Sequence, residues 1–338
     1  MAKICIVPKV SGVGGMVSFR GRFIAGLAKR GVQVCSDLRD PEIDAVLVIG
    51  GTRDLPGLWR VRRRGVRLVQ RLNGMNWLHR KRWTGLKHAL RSEYGNLLLN
   101  TIRTRLADRI IYQSNFARDW WERVYGPTRP AWTVVYNAVD LAQHTPDGPG
   151  VPPTDRHRLL MVEGSLGGGY DIGLDMAIGM AEILHDRQGH PLELMVVAKV
   201  PHGIQLAAQQ KTRVPLVFRG KLPAEQIPQV DRSAHLIFSA SMDAACPNSI
   251  IEALACGLPV IAFDTGALPE LVTGDAGRVV PYGGDPWQLD PPDIASLARA
   301  AEEVLADQPR FRHGARQRAE QAFGLDTMVE GYLACLLG

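Results

Sequence analysis

Lys3-Ile4-Cys5-Ile6-Val7, the glycine-rich Ser11-Gly12-Val13-Gly14-Gly15-Met16 and then SFRGRFIAGLAKRG over residues 18–31 decide the fold. The first run reads as a β-strand. In the third, Phe19, Phe23, Ile24 and Leu27 fall on one face at helical spacing, and Gly31 stands where a helix would stop. Strand, glycine loop and helix open a right-handed βαβ unit. Working outward, VQVCS (32–36), DAVLVIGG (44–51), VRLVQRL (66–72), RIIYQS (109–114) and WTVVYNAV (132–139) are short runs of the kind buried in a parallel sheet. Helical patterns lie between the later ones, at about 84–107 and at 116–126.

The stretch HTPDGPGVPPTDR (144–156) breaks the periodicity with four prolines and two glycines in 13 residues, and predicts a linker over 146–156. The alternation then restarts. RLLMVEGS, LELMVVAKV, LVFRGKL, HLIFSA, PVIAFD and GRVVPY read as strands; DIGLDMAIGMAEILHDRQ, AEQIPQVDRSA and NSIIEALACG read as helices. Amphipathic helices close the chain. The expected fold class is α/β, with two Rossmann-like, doubly wound domains facing across a cleft. The expected division is 1–145, a linker at 146–156, a second domain at 157–312, and C-terminal helices at 313–338 packing back toward the first domain.

Composition agrees with that size. The 338 residues are 46% hydrophobic and 22% charged, enough for two ordinary cores and unlike a disordered tail or a collagen-like rod. No run approaches the roughly 20 apolar residues of a membrane-spanning helix, and the start reads as a strand rather than a secretory signal. Five cysteines without CxxC or Cys/His metal spacing suit buried thiols in a reducing cytoplasm, and no metal site is expected.

Charge is divided. Residues 1–140 hold 25 Lys+Arg against 10 Asp+Glu, or +15; the rest holds 15 against 24, or −9. Arg60, Arg62, Arg63, Arg64, Arg67 and Arg71 form one basic cluster, and Arg80, Lys81, Arg82, Lys87 and Arg91 another. Six of the seven tryptophans lie in the same half. Such a face suits an anionic acceptor or an anionic membrane surface, and Arg62, Arg63 and Arg64 are the expected membrane contact. No nucleic-acid-binding motif accompanies the charge, so nucleic acid is not an expected partner.

Three segments carry chemistry. Gly14 and Gly15 let backbone N–H groups approach a phosphate at a helix start, though a tight strand–helix turn needs the same glycines. Gly164-Ser165-Leu166-Gly167-Gly168-Gly169-Tyr170-Asp171 repeats that position in the second half, as an anion-cradling nest or a surface loop. Cys246-Pro247-Asn248-Ser249-Ile250-Ile251-Glu252 opens a helix with free N–H groups. Its Glu252, one turn in, can accept two hydrogen bonds from a vicinal diol.

With LVFRGKLPAEQIPQVDRSAHLIFSASMD before it and PVIAFDTGALPELVTGDAGRVVPY after it, this third segment resembles the donor-site signature of the retaining GT-B glycosyltransferases of the group 1, glycogen-synthase-like type. The resemblance implies transfer of a sugar from a UDP- or GDP-linked donor to a glycan or lipid-linked acceptor with retained anomeric configuration, and no cofactor or obligatory metal. It implies that Glu252 holds the ribose, that Asn248, Ser249 and Ile250 present amides to the diphosphate with Pro247 beside them in the donor site, and that Gly14 and Gly15 approach the phosphate from the first domain. Ser165, Gly167, Gly168 and Lys199 complete the expected donor set.

Two departures stand out. The family's sugar-contacting Glu is Ala244 here, with Asp243 one residue earlier. The family's Arg and Lys in the first loop of the second domain are replaced by GSLGGGYDIG. On the acceptor side, Asn73 lies near the family's active-site His, and Asn73, His79 and Asp243 are the expected catalytic residues. A nucleotide-sugar epimerase of the same fold and a catalytically degenerate nucleotide-sugar-binding subunit fit the same residues. The expected location is cytoplasmic, peripheral on the inner membrane face.

Overall fold

The computed structural model describes residues 1–12, 14–83, 85–167, 172–188, 191–239 and 241–338. It falls into two compact units, Met1–Ala138 with Gly324–Gly338, and Val139–Phe323.

Unit 1 runs β1 (Lys3–Val7), α1 (Gly15–Ala28), β2 (Gln33–Cys35), β3 (Ala45–Ile49), α2 (Leu55–Arg63), β4 (Arg67–Leu72), α3 (Leu86–Thr101), β5 (Arg109–Tyr112), α4 (Asn115–Tyr125) and β6 (Ala131–Val134). A 3-10 turn at Leu78–Arg80 precedes α3, and a π turn at Ile102–Leu106 follows it. The sheet is parallel, in the order β2-β1-β3-β4-β5-β6. A parallel sheet buries both faces, which is why β3 is buried at all five positions.

Unit 2 runs β7 (His157–Ser165), α5 (Ile172–Gln188), β8 (Leu192–Lys199), α6 (His202–Gln210), β9 (Leu216–Phe218), α7 (Ile227–Arg232), β10 (Leu236–Phe238), α8 (Asn248–Ala255), β11 (Val260–Phe263), α9 (Leu268–Leu271), β12 (Gly277–Val280), α10 (Ile294–Ala306) and α11 (Gln308–Ala322). Its strands are also parallel, ordered β12-β11-β10-β7-β8-β9. Counted from β7, that is the 3-2-1-4-5-6 order of a dinucleotide-binding sheet. The order reverses between β7 and β10, and such a reversal opens a crevice at the carboxyl ends of the two strands.

The segment expected at 313–338 is divided. Gln308–Ala322 is α11 of unit 2, whereas α12 (Leu325–Leu337) belongs to unit 1. There Leu325, Met328, Val329, Tyr332, Cys335 and Leu336 enter the core with Phe19, Phe23 and Leu27. Tyr332 packs 5.1 Å from both phenylalanine rings. The proline-rich segment is held by arginines. Arg232 donates to the carbonyls of Pro149 and Thr145, and Arg316 to those of His144 and Ala255, which straps it to unit 2. Among the described residues no disulfide forms, and no helix is long and apolar enough to cross a membrane.

Candidate functional site

In unit 2 the residues around the strand-order reversal come together at the carboxyl ends of β7 and β10. Glu163 is the third-last residue of β7, where the pairing with β8 shifts register between Val162 and Ser165. A bulge at such a place re-aims the side chain beside it. Ser241, just past β10, donates from Oγ to Glu163 Oε1 at 3.3 Å, so the two sides of the reversal are joined by a side-chain hydrogen bond. Burial pushes the Glu163 carboxyl up to about 7; the charge of Asp243 adds to the rise, and the Ser241 hydroxyl works against it.

The loop after β10 leads into α8. Pro247 is its N-cap in extended conformation, with no side chain capping the first turn. The amides of Asn248, Ser249 and Ile250 therefore begin the helix without intrahelical carbonyl partners, and the helix dipole adds positive potential there. Asn248 and Ser249 keep partial exposure, while Ile250 is buried. Glu252 is half-buried and lies near the wholly buried Asp231 of α7. Burial, then the charge of Glu252, raises the Asp231 carboxyl well above the usual carboxylate range. The loop is also held from behind: the Ala267 N–H donates to the Ala244 carbonyl at 2.8 Å, and Gly266 at φ +59° lets Ala244 approach closely.

Of the glycine loop, residues 164–167 are described and residues 168–171 lie outside the described residues. Gly164 and Ser165 are the last residues of β7, and the Leu166 N–H donates to the Lys199 carbonyl at 2.9 Å, so this half continues the sheet. Neither Gly164 nor Gly167 takes the left-handed conformation that a nest alternates with. Gly167 instead sits close against Pro201. Gly168 lies outside the described residues. Ser165 is the register partner of Lys199, which ends β8 and is exposed, one strand from β7. Arg219 and Lys221 follow the edge strand β9, two strands away or about 10 Å. Of these three cations, Lys199 lies on the strand next to β7.

In unit 1, Gly14 at φ +142° caps α1, its carbonyl accepting from the Val17 and Ser18 N–H groups; Gly14 and Gly15 are both exposed. Asn73, just past β4, is tied into a polar network. Its Oδ1 accepts from Arg71 and Gln113, each at 2.7 Å, and its carbonyl accepts from the Trp121 indole at 2.7 Å. Arg71 also donates to Asn137 Oδ1 at 2.7 Å while its guanidinium lies over Phe19. His79 belongs to a different cluster. Its Nε2 lies 2.8 Å from Glu93 Oε1, its side chain is 4% exposed, and its Nδ1 is buried without a hydrogen-bond partner among the described residues. Glu93 also binds Arg80 through both oxygens, and Arg80 first, then His79, hold its carboxyl down to about 2. The Glu–His pair fixes the orientation of the imidazole.

Sequence reasoning gave no role to Glu163, Ser241 or Asp231. An acid interrupting the apolar run of β7 just before a glycine was the readable signal for Glu163. Nothing in the sequence alone placed Ser241 beside it. Among the described residues no group of three or more His, Cys, Asp or Glu could hold a metal ion.

Comparison with known proteins agrees with this geometry. Residues 157–307 match the family model described as glycosyl transferases group 1. The chain is 30% identical over 146 residues to an alpha-maltose-1-phosphate synthase of Mycolicibacterium smegmatis, covering 42% of this chain and 37% of that protein. The match thus spans little more than a third of that relative's length. Among solved structures, a sucrose-phosphate synthase from Thermosynechococcus elongatus superposes with a TM-score of 0.74 at 16% identity, covering 99% of this chain and 98% of that one. Anabaena HepE in complex with UDP and glucose superposes with a TM-score of 0.67 at 16% identity, covering 99% of each chain. The likenesses to solved structures show the fold. The 3-2-1-4-5-6 sheet and the α8 segment thus lie inside the range that is similar to the group 1 glycosyl transferases, and the chain has the GT-B fold of the solved structures it superposes on.

Proposed function

We propose that the chain is a retaining glycosyltransferase that takes a sugar from a UDP- or GDP-linked donor and passes it to a glycan or lipid-linked acceptor. The observation that carries the reading is the strand-order reversal between β7 and β10, with the uncapped start of α8 and its Glu252 following directly from it. Glu252 would take the ribose diol, and the amides of Asn248, Ser249 and Ile250, with Pro247 turning the chain, would take the diphosphate. Lys199, Ser165 and Gly167 would line the β7–β8 side, Gly168 would belong to the same donor set, and Gly14 and Gly15 would offer a phosphate the start of α1. Asp243 would face the transferring sugar. His79, oriented by Glu93, would meet the acceptor hydroxyl, and Asn73 would support that side through its network. The departing phosphate would receive the acceptor proton in a front-face attack, so the protein's share is binding, orientation and exclusion of water. HepE was solved with UDP and glucose, which favours a uridine donor.

Incubation with UDP- and GDP-sugars, with and without acceptor extracts, tests the proposal. It predicts a glycosylated product that needs acceptor and whose new linkage keeps the donor's anomeric configuration by proton NMR. An altered sugar nucleotide formed without acceptor would make the chain an epimerase. Tight donor binding with no product would make it a binding subunit, the role to which Ala244 and the cation-free loop point.

A further inference from the structure

We infer that the outward face of α3, with Trp83 before it, is a seat for an anionic bilayer surface. The helix is inverted relative to an ordinary surface helix. Its buried residues are polar: Asn96 bonds both ways with the Asn76 backbone, at 3.1 and 2.8 Å, and Ser92 is buried one turn before it. Its outward residues are large and apolar. Leu86 is 63% exposed, Leu90 64%, Tyr94 52% and Leu97 60%, and Trp83 is 85% exposed. The spacing i, i+4, i+8, i+11 makes a single stripe along the helix. A contiguous apolar stripe of that kind marks a surface that another phase or partner covers.

Charge complementarity selects the occupant. Exposed Lys81, Arg82, Lys87 and Arg91 flank the stripe, and the one acid between residues 80 and 97, the half-exposed Glu93, is paired with Arg80 and His79, so the face stays cationic. Leucine and tryptophan beside lysine and arginine on a short helix suit the headgroup region of an anionic membrane. The arginines expected from sequence to do this work are engaged elsewhere. Arg62 binds the Arg105 carbonyl and Asp108, Arg63 stacks over Trp59 at 3.7 Å, and Arg64 donates to the Asp40 and Pro41 carbonyls. The inference stands on unit 1 alone and does not need the donor reading; a lipid-linked acceptor is what would unite the two.

Co-sedimentation of the full chain with phosphatidylcholine vesicles, pure or mixed with phosphatidylglycerol, is the test. The chain should pellet with the mixed vesicles only. Leu86→Asp with Leu90→Asp should lower the partition coefficient by about tenfold or more. Lys87→Glu with Arg91→Glu should lower it and weaken its salt dependence, while the triple change Arg62→Glu, Arg63→Glu and Arg64→Glu should leave it within about twofold. All these positions other than Arg64's anchored end are at the surface, and circular dichroism together with UDP titration of the same variants separates a lost membrane seat from a misfolded or donor-deficient protein. Full retention by the Leu86→Asp, Leu90→Asp protein, or no pelleting of the unaltered chain, would overturn the inference. A concentration-dependent dimer abolished by the same pair, without vesicle binding, would do so too by assigning the stripe to a second copy.

Discussion

Glu163→Gln should stabilise unit 2 above pH 7 and leave it little changed near pH 4. The sign follows from the direction of the shift. A carboxyl raised from 4.5 to about 7 keeps its proton longer in the folded chain than in the unfolded one. Its contribution is therefore least costly below the unfolded value, and stability is lost as pH rises from about 4.5 through 7. A shift of that size corresponds to about 3 kcal/mol. Glu163 keeps some accessible surface, so water entry and relaxation make this an upper figure. Glutamine has the same shape and no charge to bury, which removes the decline. Thermal unfolding across pH 4 to 9 checks it: the variant's Tm should exceed the parent's by several degrees at alkaline pH, with the gap closing toward acid. Parallel curves would mean that Glu163 ionises as an ordinary exposed carboxylate. The same ionisation should weaken diphosphate binding as pH rises, because a second negative charge would then sit beside Asp243 at the strand ends.

Gly277→Ala should be the most destabilising single-methyl change in unit 2. Gly277 opens β12 opposite Val260 at φ +152°, where a side chain is strained, and a Cβ there would lie 1.9 Å from the Val260 carbonyl oxygen. Backbone cannot yield as a flexible side chain can. Overpacking and backbone strain together put the loss at about 3–5 kcal/mol. The effect reaches the site because the β11–β12 pairing leads into the contacts that fix its rear wall: the Asp264 N–H donates to the Val280 carbonyl, and Asp264 Oδ1 accepts from the Tyr282 N–H, each at 2.8 Å. Urea unfolding measures it. A loss below about 1 kcal/mol would mean that β12 does not hold this register.

Much of the fold is written in the sequence because buried parallel strands need unbroken runs of Val, Ile and Leu, and each such run from KICIV to GRVVPY became a strand. The crossovers were harder. Helices α2 and α6 went unread, although Asp54 and Pro56 are ordinary start signals and Asp54 Oδ1 accepts from the Gly57 N–H at 2.8 Å. Nine residues give too few turns for an apolar period to stand out. The C-terminal helices at 313–338 read as one group, yet Phe323-Gly324 divides them and only α12 joins the first unit, a long-range partnership whose boundary no local pattern encodes.

The candidate site divides in the same way. The α8 segment was legible because a helix start, one acid and a following strand form a contiguous signal. Of the β7 loop only Gly164 to Gly167 are described: Gly164 lies at the end of the strand and Gly167 follows it, while residues 168–171, on which the nest reading also rests, lie outside the described residues. Glu163 and Ser241, 78 residues apart, meet only because β10 lies beside β7 in the sheet. The polarity of α3 does not show in a local pattern: Asn96 turns inward to satisfy the Asn76 backbone, and that leaves the leucines outside.

Calorimetric titration of UDP- and GDP-sugars into the full chain and into Glu252→Ala is the most direct test of a donor seat at the start of α8. The account predicts saturable binding of a sugar nucleotide, weakened by about 2 kcal/mol, or about thirtyfold, once both ribose hydrogen bonds are lost. Equal affinity for the two proteins would contradict it and place the nucleotide elsewhere.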